Sequence, residues 1–284
     1  MPVSIVTDST SDIEPARAAQ LGITVVPLFV VFGEKSYRDY VDLSRPQFYQ
    51  KLKSEPALPI TSQPTAAMFE EAFAPLVARG DQILCLTISS HLSGTINAAR
   101  AGAQRFPDAD IELYDSLTVA GGLGMMALHA RELAARGADR AAIVASLEKW
   151  RASERLYACL NDLSHIQRTG RIGKAQAVLG SLTKIVPVLS LKDGQVAAEA
   201  QVRTFARAQE TMLDLIVRAA PDPSRAHFLA VHTNAPHLAE TAAQKLRERL
   251  GGVSPAFLEV WEAGPVIATH GGEGAVGIFV AEGE

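Results

Sequence analysis

Cysteine is nearly absent from the chain. Its 284 residues hold two, Cys85 and Cys159, each inside an apolar run and neither in a C-x-x-C or zinc-ligand spacing. That excludes a disulfide framework and a thiolate metal site, and it predicts two buried, reduced thiols. Positive charge is not in excess either. The 27 Lys and Arg stand against 31 Asp and Glu, a net charge of −4, which argues against nucleic acid as the main partner. No apolar stretch is long enough for a bilayer. The most apolar one, residues 117–133, contains Gly121, Gly122, Gly124 and His129 and ends among Arg131 and Glu132, so it reads as a core helix. Residues 1–7 enter a strand pattern without a basic region or an apolar leader, which predicts a cytoplasmic chain. Internal repeats, low-complexity tracts and heptads are missing.

Several nucleotide and hydrolase signatures fail on their context. Gly272-Glu273-Gly274-Ala275-Val276-Gly277 has the G-x-G-x-x-G spacing, but too little sequence follows it for the helix and strand of a dinucleotide unit. Gly122-Leu123-Gly124-Met125-Met126-Ala127 lies inside a helical pattern with no acidic residue closing a following strand. In the P-loop-like fragment Gly170 to Lys174, Ala175 stands where a magnesium-binding hydroxyl is needed. Ser93 has His91 two residues before it, so no G-x-S-x-G nucleophile elbow exists.

Hydroxyls at strand-to-helix turns are what the sequence does have. The apolar run 82–88 leads through Ser89-Ser90-His91-Leu92-Ser93-Gly94-Thr95 into a helix-favouring segment, 96–106. Such a turn sets backbone N–H groups and the positive helix end at the carboxyl edge of a sheet, where open α/β sheets bind ligands. Converging hydroxyls without Lys or Arg suit a carboxylate or a phosphate that is oriented but not tied into a strong ion pair. One N-capping hydroxyl with solvated neighbours is the alternative. The strand 3–7 runs into a second such turn, Asp8-Ser9-Thr10-Ser11-Asp12, and the extended loop 56–64 brings Thr61 and Ser62 before a third helix.

About two domains fit the length. Strands and helices alternate up to residue 154, which predicts a mainly parallel sheet with flanking helices in a domain 1–154. The rhythm then changes. Runs 185–191 and 195–202 flank Lys192-Asp193-Gly194, a type I′ hairpin signal, so domain 155–284 is expected to hold a mixed sheet with helices. Residues 23–32 read as one strand, 174–182 as a helix, and His270 as part of a glycine-rich turn.

Taken in order, Thr7 to Asp12, Thr61-Ser62-Gln63-Pro64, Ser89 to Thr95, Gly170-Arg171-Ile172 and His270 among glycines resemble the DegV family, the fatty-acid-binding subunits of bacterial fatty acid kinase. The similarity runs from Val3 to Val280. It implies two α/β domains enclosing a long-chain fatty acid, with the acyl chain in an apolar tunnel and no further cofactor. Carried over by position, Thr61, Ser93 and His270 hold the carboxylate, with Ser62, Ser9 and Thr95 as supporting donors. Arg171 and Arg203 resemble basic residues near the mouth that serve partner docking or phosphate transfer. The implied partner is an ATP-binding kinase subunit that phosphorylates the carboxylate toward phospholipid synthesis, with at most transient membrane contact. The chain would then have no complete active site of its own.

Three positions depart from the family pattern. Gly271-Gly272-Glu273-Gly274 stands in place of Gly-Pro-Gly, Thr169 in place of the first glycine before Arg171, and Val186 where Lys is common. Two other readings use the same residues: a lipid or thioester hydrolase with Ser93 and His270, and a binding module for phosphate or small acids that has no lipid tunnel.

Overall fold

The computed structural model describes residues 2–176 and 185–283, so most of the helix expected at 174–182 lies outside the described residues. The chain divides into two compact units, Met1–Lys149 with Gly264–Val266, and Trp150–Ala263 with Ile267–Glu284.

In the first unit, β1 (Val3–Asp8), β2 (Thr24–Val26), β6 (Gln82–Thr87) and β7 (Ile111–Asp115) form a parallel sheet in the order β2-β1-β6-β7. The middle strands β1 and β6 are almost wholly buried, as continuous apolar runs covered on both faces should be. On one side α3 (Ala66–Ala78) and α4 (Thr95–Ala103) pack Phe69, Phe73, Leu76, Ala98 and Ala99 against Val6, Ile83 and Cys85. Thr65 caps α3 by accepting from the Met68 N–H at 3.4 Å. Gly22 and Gly80 follow α1 (Pro15–Leu21) and α3 in the left-handed conformation, φ +69° and +73°. The helix α5 (Gly121–Ala135) is buried along its glycine-rich first half.

Two expectations for this unit need correction. The run 23–32 is not one strand, because Pro27 cannot donate a ladder hydrogen bond and the chain leaves the sheet there. After it, β3 (Phe29–Phe32) pairs antiparallel with β4 (Lys35–Arg38) in a separate three-stranded sheet, β4-β3-β5. The third strand, β5 (Ile60–Ser62), comes from the segment read as an extended loop, and Thr61 stands opposite Val30. A three-residue strand between prolines is too short for periodicity to disclose. The helix α2 (Arg45–Ser54) starts where Gln47 Oε1 accepts from both the N–H and the Oγ of Ser44, each at 2.9 Å.

The division at Trp150 falls within α6 (Arg140–Ser153), and the second unit is built on a mixed sheet. Its strands are β8 (Arg155–Cys159), β9 (Val186–Lys192), β10 (Gln195–Val202), β11 (Ala226–His232), β12 (Phe257–Glu262) and β13 (Val276–Glu282), in the order β10-β9-β8-β13-β11-β12. The expected β9–β10 hairpin turns on Asp193 and Gly194 with φ of +51° and +73°, the two positive values of a type I′ turn. After α7 (Ser164–Arg168), the helices α8 (Phe205–Arg218) and α9 (Pro236–Arg249) cover the sheet with Met212, Ile216, Ala239, Ala243 and Leu246. His270, read as part of a glycine-rich turn, stands instead in the last turn of the helix α10 (Pro265–Gly271). Among the described residues, no helix is long and apolar enough to cross a membrane.

Candidate functional site

The order β2-β1-β6-β7 places a topological switch point between β1 and β6: the chain leaves β1 toward β2 and leaves β6 toward β7 on the other side. Ligands of open α/β sheets bind outside the carboxyl ends of the strands at such a point. The turns there are Ser9–Ser11, a short 3-10 turn after β1, and residues 88–94 after β6, the two hydroxyl-rich turns of the sequence. Asp8 ties them together. Its Oδ1 accepts from the N–H and the Oγ1 of Thr10, at 3.0 and 2.5 Å, and its Oδ2 from the Ile88 N–H at 2.8 Å.

At the start of α4, Ser93 Oγ and Thr95 Oγ1 lie 2.9 Å apart, Ser93 partly exposed and Thr95 buried. A β-carbon on Gly94 would fall on the Gln63 side chain, so the segment after β5 sits directly against this turn. Thr61 is partly buried on β5, whereas Ser62 is exposed on the opposite face, as strand alternation requires. Ser9 is buried, and its Oγ accepts from the Leu28 N–H at 3.0 Å. The fold therefore brings Ser93 and Thr95 together beside Gln63, two residues along the chain from Thr61, and gives Ser9 a partner inside the unit.

Beneath these turns lies a group of buried acids that the sequence reading did not single out. Asp12, at φ +56°, accepts the Gly264 N–H on Oδ1 at 2.8 Å and faces the Tyr40 hydroxyl at 3.5 Å. Arg45 donates to Tyr40 at 2.8 Å and is paired with Glu14. Burial pushes Asp8 up to about 6 and Asp39 up to about 7, in Asp39 against the lowering effects of the Ser9 hydroxyl, the Val266 backbone and Arg45. Burial also raises Asp12 well above its ordinary value. Their only sequence signal was acidic residues placed beside strand ends.

In the second unit His270 is partly buried, and its Nδ1 lies 2.8 Å from Thr169 Oγ1. Burial pushes the imidazole down to about 3, with the nearby charges of Arg171, Arg168 and His165 acting in the same direction. The loop after α10 is fixed by Thr233, whose Oγ1 donates to the Gly272 carbonyl at 2.5 Å and accepts from the Ala275 N–H at 2.9 Å. Glu273 accepts from Asn234 Nδ2 at 2.6 Å. Arg171 Nη1 donates to the Thr169 carbonyl at 2.7 Å, and Arg203 is exposed just before the N-cap of α8. Both thiols are buried, and burial holds Cys159 up at about 12 and Cys85 higher still. Among the described residues, no group of His, Cys, Asp and Glu is arranged to hold a metal ion.

An α/β chain with a parallel first sheet, a hydroxyl-lined switch point and a mixed second sheet defines the class. Comparison with known proteins identifies it further. The family described as "Uncharacterised protein, DegV family" matches residues 2–283. A DegV domain-containing protein of Halalkalibacterium halodurans is 36% identical over 97% of both chains. Two solved structures superpose on the whole fold. One, of a Thermus thermophilus DegV family protein, described by its fatty acid binding, has a TM-score of 0.92 at 33% identity, covering 99% of this chain and 100% of that one. The other, DegV of Bacillus subtilis, described as a fatty acid binding protein, has a TM-score of 0.91 at 31% identity and 99% coverage of each. The chain belongs to the DegV family.

Proposed function

We propose that this protein binds a long-chain fatty acid and presents its carboxylate to a separate ATP-binding kinase subunit, working in the cytoplasm with at most transient membrane contact. The observation that carries this reading is the Ser93–Thr95 hydroxyl pair at the start of α4, held at the switch point with the Thr61–Gln63 segment against it. The fatty acid binding of the Thermus and Bacillus relatives supports it. In this reading Thr61, Ser93 and His270 are the carboxylate-binding residues, with Ser62, Ser9 and Thr95 as supporting donors. Arg171 and Arg203 serve the partner or the incoming phosphate.

A sixteen-carbon tail has about fifteen carbons to bury at about 0.8 kcal/mol each, an upper bound of about 12 kcal/mol before association costs. The tail supplies affinity, and weakly held hydroxyl contacts leave one carboxylate oxygen as a nucleophile toward the γ-phosphate. The hydrolase reading is not favoured: the Thermus and Bacillus relatives are described by fatty acid binding, and the Ser93 hydroxyl is paired with Thr95 Oγ1. The test follows phosphate transfer from ATP to bound oleate with a cognate kinase subunit. We expect transfer with the native chain, at least a tenfold loss in Ser93→Ala and Arg203→Ala, and no turnover of p-nitrophenyl esters by any of them. Ester turnover lost in Ser93→Ala would establish the hydrolase instead.

A further inference from the structure

Gly94 is the N-cap of α4, with φ −78° and ψ 15°, a conformation open to any residue. The backbone therefore does not require glycine there. A neighbour does. The three atoms nearest to a β-carbon built on Gly94 all belong to the Gln63 amide: Oε1 in outright collision, Cδ at 3.1 Å and Nε2 at 3.4 Å. Glycine admits that amide against its bare α-carbon. Gln63 stands between the last residue of β5 and the buried Pro64, so the chain that carries the amide is held on both sides.

The amide meets the turn with its oxygen. Oε1 is the atom closest to Gly94, whose α-hydrogens lie at the positive end of α4, where an oxygen is favoured over an NH₂ group. Both Nε2 hydrogens are then left for another acceptor. The Gln63 side chain is exposed, and among the described residues its amide has no hydrogen-bond partner. Ser93, one residue before Gly94, presents a partly exposed hydroxyl, and no side chain caps α4. Unused donors and a positive helix end thus meet at one turn, and all of these groups belong to the first unit.

We propose that Gln63 is a further head-group residue, whose Nε2–H donates to the carboxylate held at Ser93, and that Gly94 is the positioning residue that lets the amide stand there. The inference deepens the proposed fatty acid site and rests on that reading. An uncharged amide matches the hydroxyls beside it, since it orients a carboxylate without tying it into an ion pair. It also confers selectivity. A donor facing a charged oxygen contributes more than one facing a neutral hydroxyl, so the amide favours an acid over an alcohol with the same tail.

The test is calorimetric titration of the delipidated full chain at neutral pH with sodium dodecanoate below its micelle concentration and, separately, with dodecanol. Gln63→Leu keeps the side-chain bulk and removes the donor. It should weaken dodecanoate about tenfold and leave dodecanol within about twofold. Gln63→Glu sets two carboxylates together and should weaken dodecanoate more than leucine does. Gly94→Ala displaces the flexible amide, so it should match Gln63→Leu and add nothing to it in the double variant. The Gln63 variants change an exposed side chain and carry the test if the alanine variant fails to fold. Native affinity for dodecanoate in Gln63→Leu overturns the inference, and so does an equal loss for dodecanol, which a merely structural role produces. Additive losses in the double variant remove the role of Gly94. These outcomes leave the fatty acid reading standing. If the native chain does not bind dodecanoate and no long-chain fatty acid co-purifies, that reading falls and this inference with it.

Discussion

Burial sets the charge state of Asp8 and Asp39, two carboxyls that their relation to function would not have revealed. In Asp39 the folded-state pKa is raised from 3.8 to about 7, and in Asp8 to about 6. Below pH ~4 both carry a proton in the folded and unfolded chain, and their contribution to stability is fully present. As pH rises, the unfolded chain releases these protons first, so stability is lost through the window up to pH ~7. At about 1.4 kcal/mol per pH unit, Asp39 alone has an upper bound on the order of 4 kcal/mol across that window. The melting temperature is therefore expected to carry a falling contribution between about pH 4 and 7, and Asp39→Asn to flatten that fall. Scanning calorimetry at constant ionic strength checks it, and parallel profiles for the two proteins would show that Asp39 is not the group responsible. Residue-scale features of this kind were the least legible in the sequence. Asp8, Asp12 and Asp39 look like turn residues until burial is known, and Thr169 stood out only as a departure from a glycine.

At the scale of elements, close approach of helices is the sharper constraint. Gly102 on α4 faces α3, and a β-carbon there would stand 2.7 Å from Phe69 Cβ and 2.8 Å from the Ala66 carbonyl. Backbone on the far side cannot yield, so Gly102→Ala is expected to destabilise the chain by ~1–3 kcal/mol, outweighing the ~1 kcal/mol that alanine contributes to helix propensity. A lower urea midpoint checks it, and an unchanged or raised one contradicts the packing described. Most elements were legible. Ser44 marked the start of α2, Gly22 and Gly80 the ends of α1 and α3, and Asp193-Gly194 the β9–β10 hairpin, whereas the caps Thr65 of α3 and Thr204 of α8 came only with the structure. The failures share a cause. β5 is three residues long, the run 23–32 hides a change of sheet at Pro27, and α10 looks like a turn because glycines crowd its end. In each, long-range pairing or packing decides what local propensity cannot.

For the whole molecule, the alternation of elements and the ordered series of hydroxyl turns carried both the fold and the family. Each turn alone is weak, but two of them stand at the switch point of one sheet, and the DegV match over residues 2–283 agrees with their order. Legible in the candidate site were its hydroxyls, which are chemistry placed at strand ends. The partner of each hydroxyl was not, because it depends on which segments the fold brings together, as Leu28 is brought to Ser9. The central claim is that the molecule holds a long-chain fatty acid. Native mass spectrometry of the purified chain, followed by organic extraction and lipid analysis, tests it most directly. We predict about one long-chain fatty acid per chain, retained from the expression host. A chain that arrives empty and ignores added palmitate and oleate would contradict the claim, and the hydroxyl turns would then belong to a small-anion site.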